Sequence, residues 1–269
     1  MISCNLQGRL GNLLFQIATT LSHAAKCNAE CYFLEEAACT QIGEEKLERY
    51  KKTIFRNITF LSLNEFQKKL SQQMKVIREP INFDFVSLPL EDFLCLDGYF
   101  QTEDYFKEFS LELKNLLGCP PPLKRLLAEK YKTLIESSTT VGLHLRRGDY
   151  LQLKDFHTNL FEDTNYYERA MEYFGEDSHF LVFSDDIEWC QKNLKNKKIT
   201  FMESTDEVSD LYLMSLLPNL IIANSSFSWW GAWLQQERTG NVIAPKEWFG
   251  MHNSHIKTHR LYPKGWMTV

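Results

Sequence analysis

Five short apolar segments punctuate the second half of the chain: VGLHL (141–145), HFLVFS (179–184), KITFM (198–202), NLIIAN (219–224) and NVIAP (241–245). Helical segments begin between them, near Asn165, Asp185, Glu207 and Ser226. Near-continuous apolar strands alternating with helices predict a parallel sheet covered on both faces, with right-handed crossovers. In such sheets ligands sit beyond the carboxyl ends of the strands, so the polar residues that end these runs are the first candidates for chemistry.

The first half is less regular. A strand is expected from Ile2 to Leu6, then a glycine turn through Gly8 and Gly11, then a helix on which Leu14, Ile17, Ala18, Leu21, Ala24 and Ala25 recur at helical spacing. The turn spacing is G-x-x-G and not the dinucleotide fingerprint. A strand is expected over Glu30–Leu34, and the charged stretch 40–80 reads as exposed helices or a mobile excursion. FLCLDGYF (93–100) reads as a buried strand ending at Gly98, and residues 101–117 as one helix with acidic residues in its first turn. Cys119-Pro120-Pro121-Pro122 interrupts the pattern. Because proline fixes φ and restricts its predecessor, a junction is placed between 118 and 138, giving lobes of residues 1–135 and 136–269.

With 269 residues, 44% of them hydrophobic, the chain can build large cores without cross-links or metals. A net charge of −5 argues against nucleic acid as a partner, since phosphate affinity comes from clustered Lys and Arg. Seven cysteines, an odd number without paired spacing, read as buried free thiols in a reducing compartment. The first residues lack the pattern of a signal peptide, and no window approaches the length of a membrane span. The expectation is a cytoplasmic protein, with peripheral contact at the cytoplasmic membrane face left open and the oligomeric state unassigned.

The strand at 141–145 runs into His144-Leu145-Arg146-Arg147-Gly148-Asp149-Tyr150. Alternate strand positions share a side, so His144 and Arg146 point the same way while Arg147 begins the loop. Guanidinium groups clamp diphosphates through charge-assisted, often bidentate bonds and stabilise charge on a leaving phosphate; the competing reading is an arginine–aspartate support pair. His144 is either a core histidine or a ligand-bonding imidazole, and Asp149 either orients an arginine or serves as a base. Asp185 and Asp186 end the next strand, where a carboxylate caps a helix or accepts from ribose or a nucleobase. Asn224, Ser225 and Ser226 precede a helix whose start suits phosphate, and Trp229, Trp230 and Trp233 read as core more than as a sugar platform. No Asp-x-Asp or clustered Cys/His spacing supports a metal site; His252, His255 and His259 read as loop histidines. Walker, Gly-x-Ser-x-Gly and His-Glu-x-x-His patterns are absent from the sequence.

In order along the chain, GRLGNLLFQIA, DGYFQTEDYF, VGLHLRRGDY, FSDDIEWCQKNL, ANSSFSWWGAWL and IAPKEWF resemble the inverting α-1,2-fucosyltransferases, glycosyltransferase family 11, in its bacterial form. The blocks span almost the whole chain, with departures at Arg9 and at Leu13-Leu14 in the opening. The resemblance implies an α/β GT-B arrangement, two Rossmann-like lobes with parallel sheets facing a central cleft. It implies an N-terminal lobe on the acceptor side and a C-terminal lobe holding the donor GDP-β-L-fucose, with no prosthetic group and no metal. Fucose would pass with inversion to the 2-hydroxyl of a β-galactoside-terminated oligosaccharide or glycolipid. Carried over, Arg146 is the diphosphate contact and leading catalytic residue, Arg147 supports the loop or donor, and Asp149 is a candidate base. His144, Asp185, Asp186, Asn224, Ser225 and Ser226 fall at the donor, and Gly11 and Asn12 line the cleft from the other lobe. A long C-terminal helix crossing back is expected to be missing or shortened. The alternatives are a transferase using another GDP-sugar or linkage, and a GDP-sugar-binding module without turnover.

Overall fold

The computed structural model describes residues 1–80, 84–152, 156–194, 198–203, 206–236, 240–253 and 255–269. The chain forms two compact units, residues 1–118 with 259–263, and residues 119–258 with 264–269. The division falls between Gly118 and Cys119, not at residue 135, because the helix after the prolines packs against a helix of the second unit.

In the first unit β1 (Ile2–Cys4) leads to α1 (Leu10–Cys27). Leu13 to Thr20 are buried without interruption, so α1 is covered all round over that stretch; of the repeat read in the sequence Leu14, Ile17, Ala18 and Ala24 are buried, while Leu21 is half-buried and Ala25 exposed. The helix stops at Asn28, whose left-handed φ of 50° lets the next amides bond back to Ala25 and Ala24. Then come β2 (Phe33–Leu34), α2 (Glu35–Ile42), α3 (Glu44–Lys51), β3 (Phe60–Leu61), α4 (Leu63–Lys69), β4 (Lys75–Arg78), β5 (Leu94–Asp97) and α5 (Ser110–Leu117). β1, β5 and β4 form a parallel sheet in the order β1-β5-β4, β2 pairs with β3, and a bridge from Ile2 to Cys31 sets the lead-in to β2 beside β1.

Two expectations are corrected by this unit. The stretch 40–80 is not merely exposed helix, because Leu47, Tyr50, Ile54 and Phe55 are fully buried within it. Residues 101–117 are not one helix: two 3₁₀ turns, Glu103–Tyr105 and Lys107–Phe109, precede α5. Phe106 sits between them at φ −138°, ψ 3°, outside the helical region, with its ring and that of Tyr105 in the core. The segment 259–263 rejoins this unit through Arg260, whose carbonyl accepts from Thr102 Oγ1 at 2.6 Å and whose Nη1 pairs with Asp104 at 2.7 Å. The described residues after the last core strand hold a 3₁₀ turn and a short strand and no α-helix.

The second unit begins with α6 (Pro121–Lys130), with Pro at its first turn where the missing N–H costs nothing, and α7 (Lys132–Glu136). The sequence then alternates β6 (Thr140–Leu145), α8 (Tyr166–Phe174), β7 (His179–Ser184), α9 (Ile187–Asn193), β8 (Lys198–Phe201), α10 (Glu207–Leu216), β9 (Asn219–Ile221), α11 (Ser226–Trp233), β10 (Val242–Ala244) and β11 (Met267–Thr268). All pairings are parallel and the order is β11-β10-β9-β6-β7-β8. Counted from β6 this is the doubly wound 6-5-4-1-2-3 order, with its switch point between β6 and β9. Every residue of β6 and β9 is buried, as expected for central strands covered on both faces. No helix in the described residues is long and apolar enough to cross a membrane.

Candidate active site

A crevice opens in a doubly wound sheet where neighbouring strands send their connections to opposite faces. In the second unit that place lies beyond the carboxyl ends of β6 and β9, which carry His144–Tyr150 and Asn224–Ser226. The switch point thus gathers the two segments singled out in the sequence.

Arg146 is held on two sides. Its Nη2 donates to Asp149 Oδ1 at 2.6 Å and its Nη1 pairs with Asp185 Oδ2 at 2.8 Å, while its side chain is 17% exposed. The Tyr150 ring lies against the guanidinium, 5.6 Å from centroid to Cζ. Asp185 also binds the loop backbone, because its Oδ1 accepts the N–H of Arg147 at 2.9 Å and of Gly148 at 3.2 Å. One carboxylate therefore fixes both the loop backbone and the arginine that projects from it. This explains the glycine, since a Cβ on Gly148 would stand 2.5 Å from Asp185 Oδ2.

Arg147 faces elsewhere and is buried. Its guanidinium lies flat on Trp189, 3.4 Å from Cζ to the ring centroid, with Nε donating to Asp186 at 3.3 Å and Nη1 near Glu162 at 3.7 Å. Asp186 also caps α9 by accepting from Trp189 N. Arg147, Asp186 and Trp189 thus form a support behind the loop.

His144 is buried at the end of β6, against the Phe227 ring, and its Nδ1 has no hydrogen-bond partner among the described residues. Burial, reinforced by the charge of Arg146, pushes its pKa down to about 3, so the imidazole is neutral at physiological pH. Asn224 works structurally through its side-chain amide, which donates to the carbonyls of Thr158 and Trp248, both at 2.9 Å. Ser225 is the N-cap of α11 and accepts from Phe227 N, and Ser226 opens the helix, so the amino end of α11 follows the carboxyl end of β9. Trp229 and Trp230 are fully buried and Trp233 nearly so, with Trp266 packed against Trp229, which makes them core.

Gly11 and Asn12 lie in the first unit, in the opening turn of α1. Asn12 Oδ1 accepts from Gln101 Nε2 at 2.9 Å, and its amide approaches Gly8 so closely that a Cβ there would stand 2.4 Å from Nδ2. Gly8 has φ +87°, so both space and backbone select glycine. Among the described residues no group of three or more His, Cys, Asp or Glu side chains is arranged to hold a metal ion.

Sequence reasoning missed two residues at this site. Tyr150 donates its hydroxyl to Asn224 O at 2.9 Å, and burial holds its pKa well above the usual phenol range. His157 stacks on Tyr150 with ring centroids 4.0 Å apart and planes 1° from parallel. Tyr150 ends a motif whose charges drew the attention, and His157 sits in a loop without periodicity.

Known proteins resemble the chain over most of its length. The chain is 29% identical to an α-1,2-colitosyltransferase of Escherichia coli over its full length and 99% of that protein. It is 27% identical to the O-antigen biosynthesis glycosyltransferase WbnK of Escherichia coli, covering 94% of this chain and 96% of the relative. The human galactoside α-(1,2)-fucosyltransferase 1 is 26% identical over 84% of this chain, which spans 63% of that protein. Among solved structures, fucosyltransferase NodZ from Bradyrhizobium shares the fold with a TM-score of 0.56 at 10% identity, covering 86% of this chain and 91% of that one. The family described as glycosyl transferase family 11 matches residues 1–269, and the chain belongs to that family of glycosyltransferases.

Proposed function

We propose that this enzyme transfers a 6-deoxy-L-galactose-type sugar from a GDP-linked donor, with inversion, to the 2-hydroxyl of a terminal β-galactoside. The observation that carries the reading is Arg146, held at the switch point of a doubly wound sheet opposite the amino end of α11. A diphosphate placed there meets a guanidinium on one side and helix amides with Ser225 and Ser226 on the other. Arg146 would neutralise charge growing on the departing GDP, the point at which electrostatic stabilisation lowers the barrier most. His144, neutral and with Nδ1 unpartnered, offers a hydrogen bond to the donor. Asp149 is committed to Arg146 and in this reading positions the guanidinium rather than taking the acceptor's proton. Residues 119–258 would bind the donor and the first unit would present the acceptor.

GDP as the carrier is supported by the shared fold with NodZ, an α-1,6-fucosyltransferase that has been co-crystallised with GDP and soaked with GDP-fucose. The relatives divide on the sugar: one bears the name of a colitosyltransferase, others of galactoside α-1,2-fucosyltransferases. L-Fucose and colitose differ only in the 3-hydroxyl, so the full-length match to the colitosyltransferase makes GDP-colitose a second donor to test.

The test incubates purified protein with GDP-fucose or GDP-colitose and a panel of β-galactosides, reading GDP release and the product linkage by NMR. An α-1,2 product from either donor is expected, and Arg146→Ala is expected to keep the fold while losing about 10²–10³-fold in kcat. Near-normal turnover by Arg146→Ala, or another linkage, overturns the reading.

A further inference from the structure

Arg146 is gripped through its two terminal nitrogens by Asp149 and Asp185. The Tyr150 ring stands beside the guanidinium, 5.6 Å from centroid to Cζ, within cation–π range, and Tyr150 is itself tightly located. Its hydroxyl is tied to Asn224 O at 2.9 Å, and its ring lies face to face on His157.

His157 belongs to a small antiparallel ribbon. It bridges to Phe249, Gly250 N donates to Phe156 O at 2.8 Å, and Thr158 Oγ1 donates to Phe249 O at 2.8 Å. The ribbon is pinned by the Asn224 side-chain amide, through the carbonyls of Thr158 and Trp248. Asn224 therefore fixes both ends of the Tyr150–His157 stack, one by its backbone and the other by its side chain. The Phe156 ring meets the imidazole edge-on at 4.8 Å, and Phe249 lies nearly parallel to it at 6.3 Å.

We infer that His157 is a positioning residue for Arg146, acting through the Tyr150 ring rather than by touching substrate. This rests on the reading of Arg146 as the leaving-group contact. Aromatic stacks prefer defined offsets and separations, so a π face at 157 locates Tyr150 better than an aliphatic side chain of equal volume. Burial pushes the His157 pKa down to about 4 despite the opposing charge of Asp149, so the ring is neutral while the enzyme works and adds no second cation beside Arg146.

The experiment compares His157→Phe, which keeps a π face, with His157→Leu, which keeps volume without one. Wild type and both variants are assayed with GDP-fucose and N-acetyllactosamine, alone and in an Arg146→Lys background. GDP affinity is measured by calorimetry and folding by circular dichroism. His157→Leu is expected to lower kcat about 10- to 100-fold, the scale of a displacement on the order of 1 Å at a catalytic group, with GDP affinity within about threefold. His157→Phe is expected to stay within about threefold of wild type with an unchanged pH profile, and His157→Leu to add less than about threefold once Arg146 is lysine. A readout independent of the donor is the Arg146 Nε–H resonance, identified by its loss in Arg146→Lys. It should broaden in His157→Leu and stay sharp in His157→Phe.

Equal rates and equally sharp resonances in the Leu and Phe variants overturn the inference. So does a His157→Phe enzyme as inactive as the Leu variant with an ionisation missing from its pH profile, which would give His157 a chemical role. Unimpaired turnover in Arg146→Ala would instead sink the reading of Arg146, an outcome distinct from either.

Discussion

Gly148→Ala tests whether Asp185 organises the site. The added Cβ would lie 2.5 Å from Asp185 Oδ2, 3.1 Å from Cγ and 3.7 Å from Oδ1, so the carboxylate has to retreat. A flexible side chain would do so at little cost, but this one is held by Arg147 N at 2.9 Å, Gly148 N at 3.2 Å and Arg146 Nη1 at 2.8 Å. A retreat of about 0.9 Å, which brings the 2.5 Å contact to the 3.4 Å of ordinary van der Waals contact, takes both amide bonds past useful length. Hydrogen bonds to a charged acceptor contribute about 1.5–3 kcal/mol each when buried. With the Asp185 side chain 26% exposed the lower end applies, giving about 2–4 kcal/mol for the pair. For a unit of this size that is a fall in Tm of about 5–12 °C. All six tryptophans lie in the second unit, so intrinsic fluorescence follows its unfolding alone. Turnover should fall about 10²-fold as Arg146 loses its frame. In an Asp185→Ala background the clash is gone, and Gly148→Ala should then add under about 0.5 kcal/mol. A single variant melting within about 1 °C of wild type, or equal costs in both backgrounds, would refute the steric argument.

Two further outcomes follow from buried polar groups away from Arg146. Tyr166→Phe deletes a hydroxyl that bonds the carbonyls of Ile222 at 2.6 Å, just past β9, and of Ile243 at 3.0 Å, in the middle of β10. It should cost about 1–3 kcal/mol in the fluorescence-detected transition while kcat stays within about threefold, and loss of turnover without loss of stability would contradict that assignment. In the first unit Glu79 accepts the amides of Tyr99 and Phe100, yet burial raises its pKa above the ordinary 4.5. The folded state then holds this proton more tightly than the unfolded state, so its contribution to stability is full below the unfolded pKa and lost as pH rises through the folded one. Glu79→Gln should remove this loss, so the wild-type Tm minus the variant Tm, followed calorimetrically, should fall as pH rises above 4.5, and a rising difference would reverse the assignment.

The second unit was readable in the sequence because its central strands are buried on both faces and appear as unbroken apolar runs between amphipathic helices, VGLHL and HFLVFS being the plainest. β11 was not, since two residues, Met267–Thr268, carry no pattern and pair only because β10 offers an edge. The place of Arg146 at the exit of β6 was legible from the strand pattern. The roles of its neighbours were not: Asp185 and Asp186 look alike in sequence, and only the fold turns one toward the loop amides and Arg146 and the other toward Arg147 and the cap of α9. Residues 101–117 misled because their acidic start imitates a helix N-terminus, whereas Phe106, at φ −138° and ψ 3°, leaves the helical region and divides the segment into two 3₁₀ turns ahead of α5.

The same pairings change how this site attracts an anion. Arg146 faces Asp149 and Asp185, and Arg147 faces Asp186 and Glu162, so among the described residues two cations meet four carboxylates. A diphosphate approaching these two arginines, in a protein of charge −5, therefore meets cations whose charge is already compensated. In the proposed reading, affinity comes from donors already in place, chiefly the guanidinium hydrogens of Arg146 not used by the carboxylates, whose alignment costs nothing at the moment of binding. Contacts of that kind act at hydrogen-bond distance and are screened far less than long-range attraction, since the Debye length is about 10 Å at 0.1 M salt. The value of kcat/KM for the GDP-linked donor should accordingly change by less than about threefold between about 0.05 and 0.5 M salt, whereas an enzyme relying on electrostatic steering loses rate steeply over that range. A steep loss in stopped-flow measurements of donor association would mean that the carboxylates turn away when donor arrives, and that Arg146 meets it as a free cation.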